Sequence, residues 1–215
     1  MTTDRATQDR VAHWEQLYTQ RAPTEVSWYQ VDPVRSVEWI MATGVPKDAP
    51  VIDVGGGASL LVDRLLDAGY TDLTVLDISD TALQRARQRL GARASRVTWL
   101  QGDITQASLP QTYAVWHDRA AFHFLTTADD QRRYVETARR AVRPGGHLIL
   151  ATFSLAGPPR CSGLDVVRYA PQTLHEAFGR DLLLRKTADE IHRTPRGAEQ
   201  AFVYVWFQTP AQDAG

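Results

Sequence analysis

Three aspartates each stand where an apolar run ends, and glycines follow the first. Val51-Ile52-Asp53-Val54 leads into Gly55-Gly56-Gly57, Asp77 follows Leu73–Leu76, and Asp103 sits in Gln101-Gly102-Asp103-Ile104. A glycine turn between a strand and a helix lets the backbone approach a ligand closely at the positive end of that helix. Asp77 lies twenty residues past Gly57, where a carboxylate accepts hydrogen bonds from both hydroxyls of a ribose. Ile78 would then pack on the base, and Asp103 would accept from an adenine amino group. The dinucleotide fingerprint requires a third glycine where Leu60 stands, which argues against NAD.

A second group of reactive side chains follows a later apolar run. Tyr113–Trp116 is succeeded by His117, Asp118 and, within the next turn, His123. Histidine exchanges protons near neutral pH, so His117 and His123 are candidate bases and Asp118 a candidate orienting carboxylate. Successive residues of a strand point to opposite faces, so only one of His117 and Asp118 is expected to face a substrate while the other fixes the loop. The histidines are scattered and lack the spacing of metal ligands, and no metal site is expected.

These residues need a scaffold, and from Val51 onward apolar runs alternate with helix-period segments. The pattern predicts strands over Val51–Val54, Leu73–Leu76, Val97–Leu100, Tyr113–Trp116, His147–Phe153, Leu182–Lys186 and Ala201–Phe207. A helix is expected over Asp129–Val142, stopped by Arg143-Pro144-Gly145-Gly146, and another over Pro171–Phe178. Ala-Phe-Val-Tyr-Val-Trp-Phe near the C-terminus is apolar throughout, as a strand covered on both faces must be. The expected fold is α/β: a Rossmann-like, seven-stranded mixed sheet with helices on both faces, its last strand antiparallel and inserted between earlier ones. In an open sheet of this kind the ligand lies outside the carboxyl ends of the strands, where His117, Asp118, His123 and the loop from Ser154 to Tyr169 would gather.

The acid two residues before Gly-x-Gly, followed by an acid ending the second strand, resembles class I S-adenosylmethionine (SAM)-dependent methyltransferases. That resemblance implies SAM as cofactor and Asp53, Gly55, Gly57, Asp77, Ile78, Asp103 and Ile104 as its ligands. Trp14-Glu15-Gln16-Leu17-Tyr18, Trp28-Tyr29-Gln30, Leu76-Asp77-Ile78-Ser79 and Asp118-Arg119-Ala120 are similar to the branch containing citrate-synthase-lysine and elongation-factor-lysine methyltransferases, and more distantly to thiopurine methyltransferase. In that branch an N-terminal aromatic segment covers the cofactor, which implies roles for Trp14 and Trp28. The lysine enzymes tend to read Asp-Lys-Gly where this chain reads Asp118-Arg119-Ala120.

Composition narrows the partners. Of 215 residues, 43% are hydrophobic and 23% charged with a formal net charge of −1, so one domain with a proper core is expected, within which the resemblance implies residues 1–45 as a cover over cofactor and acceptor. The basic footprint of a nucleic-acid or anionic-membrane binder is missing. No stretch reaches the roughly 18 apolar residues of a spanning helix. A single cysteine, Cys161, fits a reducing cytoplasm, and the near-exclusive use of arginine over lysine fits a GC-rich bacterial genome. The expected activity is methyl transfer to a small-molecule thiol, hydroxyl or amine. A protein-lysine N-methyltransferase and a SAM-binding regulatory protein are the alternatives.

Overall fold

The computed structural model describes residues 5–211; the first four residues of the expected 1–45 cover lie outside the described residues. Helix α1 (Arg5–Gln20) and helix α2 (Val34–Ala42) precede strand β1 (Val51–Val54). Then come α3 (Leu61–Asp67), β2 (Leu73–Asp77), α4 (Asp80–Leu90), β3 (Val97–Gln101), β4 (Tyr113–Arg119), α5 (Ala128–Ala141) and β5 (Val142–Phe153). A two-residue hairpin, β6 (Arg160–Cys161) with β7 (Leu164–Asp165), leads to α6 (Pro171–Phe178), β8 (Leu183–Arg193) and β9 (Glu199–Gln208). No helix among the described residues is long and apolar enough to cross a membrane.

The seven-stranded sheet has the order β3-β2-β1-β4-β5-β9-β8. Strands β1 to β5 are parallel, while β9 runs antiparallel between β5 and β8. This is the Rossmann-like mixed sheet expected, with its last strand inserted. The all-apolar β9 has a direct cause, because its two faces serve different cores. Phe202 and Tyr204 pack with Trp39, Ile40 and Leu61 on one side, and Val203, Val205 and Phe207 pack with Trp116, Tyr134 and Phe178 on the other.

Strand β8 runs to Arg193, well past the expected end at Lys186. It is an edge strand, most of its residues are exposed, and Thr187–Arg193 carries no apolar run for periodicity to detect. Its length is imposed by pairing with β9, from Leu183↔Gln208 to Arg193↔Glu199. Strand β5 likewise starts at Val142, before the Pro-Gly-Gly stretch, with a register break between Tyr113↔Val142 and Val115↔His147. Local caps fix the helices: the Ser79 hydroxyl accepts the Ala82 N–H at 3.1 Å and the Thr127 hydroxyl that of Asp130 at 3.2 Å.

Helices α1 and α2 were not evident from periodicity, and long-range contacts hold them. Glu15 of α1 accepts backbone N–H groups of Asp80 and Thr81, bringing a carboxylate to the N-terminus of α4. Behind the sheet, the buried Tyr134 hydroxyl takes the Trp116 indole N–H at 3.0 Å and donates to Asp118. Tyr134→Phe should therefore strand that indole N–H and destabilise the fold by about 1–3 kcal/mol. Chemical denaturation checks this, and an unchanged midpoint would show that neither partner depends on the hydroxyl.

Candidate functional site

Two adjoining cavities open at the carboxyl ends of β1, β2 and β4. The first is bounded by Asp77 and Ile78 after β2, Asp103 and Ile104 after β3, Gly55, and the rings of Trp14, Trp28 and Phe124. Arg10 and Tyr18 of α1 close it from above. The second is bounded by Asp53, His117, Ser36, Tyr29, Gln30 and the glycine loop. Trp28, Tyr18, Gly55 and Arg119 border both.

Asp77 is built to receive hydroxyl donors. It is 5% exposed, and its carboxylate accepts the Ser79 N–H at 2.8 Å and the Gly57 N–H. Burial pushes its carboxyl up to about 7, with the acids Asp53 and Glu15 adding to the rise against the two amide bonds. Gly57 has φ +45°, and a Cβ there would stand 2.9 Å from both the Asp77 carboxylate and the Tyr18 hydroxyl. Gly55 has φ +69°, and a Cβ there would come within 2.6 Å of the Ala121 Cβ. Both positions thus need glycine for conformation and for space.

Asp103 is more heavily engaged than expected. One oxygen takes the Thr105 N–H and hydroxyl at 2.9 and 2.8 Å, and the other takes Arg10 Nε and Nη2 at 2.9 and 2.6 Å. Burial alone would raise its carboxyl, but the Thr105 and Arg10 donors outweigh it and hold it below the usual range. Acceptance from an adenine amino group therefore requires Arg10 to yield a bond.

His117 and Asp118 leave β4 on opposite faces. His117, 2% exposed, turns into the second cavity, where Nδ1 meets the Asp53 carboxylate at 2.7 Å and Nε2 meets the Ser36 hydroxyl at 2.8 Å. Asp118 turns towards α5 and accepts the backbone N–H groups of Ala121 and Phe122 at 2.9 and 3.0 Å, fixing the loop after β4. Burial pushes its carboxyl up to about 6 despite the Tyr134 hydroxyl bond. His123 borders neither cavity. It is fully buried beside Phe153 and Phe124, Nδ1 accepts the Phe153 N–H at 3.1 Å, and burial together with Arg119 drives it down to about 3, so it stays neutral.

The structure thus brings together Trp14, Trp28, Asp53, Gly55, Gly57, Asp77, Ile78, Asp103, Ile104 and His117, and leaves Asp118 and His123 behind them. It adds Arg10 and Ser36, which carry no local sequence signal, and Tyr18 and Arg119, which lie in segments that carry the resemblance, and it gives Gly56 a specific task. A Cβ on Gly56 would come within 2.6 Å of Asp53 Oδ2 and 2.9 Å of Val75. Gly56→Ala should therefore push the Asp53 carboxylate off His117, costing about 1–3 kcal/mol of stability. Thermal unfolding with NMR of the labelled imidazole checks both effects; an unshifted His117 spectrum would show that the carboxylate is not held by this fit.

Residues 51–146 match the family described as "Methyltransferase domain". Over 151 residues, 67% of this chain, the sequence is 26% identical to the eEF1A lysine and N-terminal methyltransferase of Mus musculus, of which the match covers 21%. The chain spans about a fifth of that protein's length. Over 122 residues, 54% of this chain and 45% of the relative, it is 34% identical to the ubiquinone/menaquinone biosynthesis C-methyltransferase of Methylobacterium nodulans. The N-methyltransferase NodS from Bradyrhizobium japonicum, solved with S-adenosyl-L-homocysteine, superposes with TM-score 0.69 at 16% identity, covering 91% of this chain and 98% of NodS. Residues 51–146 thus match a methyltransferase domain, and the chain shares the Rossmann-like fold of NodS.

Proposed function

We propose that this chain is a single-domain SAM-dependent methyltransferase acting on a small-molecule thiol, hydroxyl or amine. The observation that carries the reading is the pairing of two cavities across Gly55 and Arg119, one lined by Asp77, Ile78, Asp103 and Ile104 and the other by Tyr18, Trp28, Tyr29 and His117. In the first, Asp77 would hold the ribose, and Ile78, Ile104 and Trp14 would sandwich the base. SAM supplies a methyl group already activated on a sulfonium, so the protein has to align a nucleophile and take its proton. His117 and Arg119 are the ionisable groups of β4 that line the second cavity, and of the two the imidazole is the one that can accept a proton. Asp118 and His123 support the loop that follows β4.

A small acceptor is favoured by what closes the second cavity. Tyr18, Pro23, Val26, Trp28, Tyr29 and Pro33, all from the N-terminal segment, form its outer wall, as a cover over a compact ligand would. Among the described residues Asp53 is the sole acid lining it and Arg119 the sole arginine, a poor match for a cationic lysine side chain. The similarity to the eEF1A lysine enzyme keeps protein-lysine methylation as the second reading. Incubating the protein with SAM and either a metabolite extract or a peptide library, then identifying by mass spectrometry what gains a methyl group, separates the two.

Cofactor binding should also carry the mark of Asp77. Ribose hydroxyls donate to the ionised carboxylate, so binding favours loss of its proton. With the carboxyl at about 7, affinity for S-adenosylhomocysteine is complete above that pH and is lost as pH falls through it, approaching about tenfold per unit. Asp77→Ala should weaken binding by about 2–4 kcal/mol and flatten the profile. Calorimetry across this range checks it; pH-independent binding, unaltered in the variant, would place the cofactor elsewhere.

A further inference from the structure

Strand β8 closes the sheet on one side, and among the described residues nothing pairs with its outer edge. It is long for an edge, Leu183–Arg193, and most of it is exposed. Leu183, Leu184 and Ile191, all large and apolar, stand on this one strand at 52%, 46% and 58% exposed. Its charges come in an order: Arg185 and Lys186 precede Ala188, and Asp189 and Glu190 follow it. Charged side chains on an edge ordinarily keep other strands away. A copy of β8 turned end for end, however, meets them with the opposite sign, basic half against acidic half.

Pairing with β9 settles which face each side chain takes. Lys186, Ala188 and Glu190 stand opposite Trp206, Tyr204 and Phe202, and Lys186 accordingly lies over the Trp39 ring. Leu184, Thr187, Asp189 and Ile191 take the other face, in register with residues such as Val205 and Val203. A bulge leaves Arg185 without a partner on β9 and brings Leu184 to the position next to Lys186. A two-fold axis passing through the sheet at Ala188 sets a second β8 antiparallel to the first and keeps each face continuous. Lys186 then faces Glu190 of the other copy on one side of the sheet. On the other side Leu184 faces Ile191 and Thr187 faces Asp189, and every pair occurs twice. Glu190 already holds Arg35 at 2.9 Å and lies 3.8 Å from Arg119, so the second copy's lysine joins an existing network. A slip of two residues puts Thr187 or Asp189 on the axis and takes Lys186 off Glu190, so the side chains select one register.

We propose that the outer edge of β8 is a dimer interface, that its partner is a second copy of this chain, and that the two sheets join there into one about Ala188. The pairing is the same patch on both copies, so it closes on itself and leaves no edge of β8 for further growth. The strand also anchors the segment over the cavities, Glu190 through Arg35 and His192 through the Ser27 carbonyl at 2.7 Å. Joining the two edges therefore steadies the strand from which that cover hangs.

Sedimentation equilibrium of the whole chain tests this, with the wild-type protein expected at twice the mass of one chain. Ile191→Asp sets a carboxylate against Leu184 of the other copy at both ends of the interface and should raise the dissociation constant at least about tenfold. Leu184→Lys alone should weaken the dimer in the same way. Leu184→Lys combined with Ile191→Asp should restore it, because in this register the two substituted positions face each other across the axis with opposite charge. Both positions are open to solvent in the single chain, so the variants should keep the wild-type circular dichroism. A wild-type chain that stays monomeric at about 100 μM, or a dimer indifferent to Ile191→Asp, would overturn the interface. A dimer weakened by each single substitution but not restored by the pair would overturn the register about Ala188. The wild-type mass stands as a test even if a variant does not fold.

Discussion

The contact between the Asp53 carboxylate and the His117 imidazole holds the floor of the site together. The two residues are register partners on the neighbouring strands β1 and β4, so the hydrogen bond is delivered by sheet pairing and needs no loop to position it. It sits almost dry, where a buried carboxylate is costly unless it is matched. Gly56 leaves room for one oxygen and His117 engages the other. The glycine loop, the ends of the two central strands and helix α2 through Ser36 are all referred to this point.

Above that floor the site is closed by parts of the chain distant in sequence. Helix α1 is tied to α4 by Glu15 and to β3 by Arg10 with Asp103, and Trp14 meets Phe124 edge-on at 4.8 Å and Trp28 at 5.7 Å. These ties use the groups a ligand would use, since Arg10 fills Asp103 and Tyr18 crowds Gly57. The cover and a cofactor thus compete for donors and acceptors in part, and the acids Glu15 and Asp53 add to the cost of ionising Asp77. A cofactor carrying hydroxyl and amino donors relieves that cost, which couples its binding to the packing of the N-terminal segment.

What the sequence made legible follows the range of the forces involved. Strands β1, β2 and β4, the glycine loop, Asp77 and the inserted strand β9 are written in runs of a few residues, because each is buried on both faces or needs a particular backbone. Strand β8 was seen only in part, since an edge strand with polar residues takes its length from its neighbour. At the site, strand alternation separated His117 from Asp118, but it could not say which of the two fixes the loop or that His123 is sealed behind Phe153. Ser36, Arg10 and Arg119 join the site across 81, 93 and 91 positions, to His117, Asp103 and Trp28 respectively. No local pattern encodes such pairings, and in hindsight only the dense aromatic residues of the first thirty positions hinted that this segment packs over a cavity.

The central claim is that the nucleoside cavity beside Asp77 and the Ser36–His117 cavity are the two halves of one methyl-transfer site. A crystal structure with S-adenosylhomocysteine tests it most directly. The account predicts ribose hydroxyls on Asp77, the base between Ile78 and Ile104, and the sulfur at the Gly55–Arg119 boundary facing the cavity of Ser36 and His117. A ligand bound away from Asp77, or with its sulfur turned from that second cavity, would contradict it.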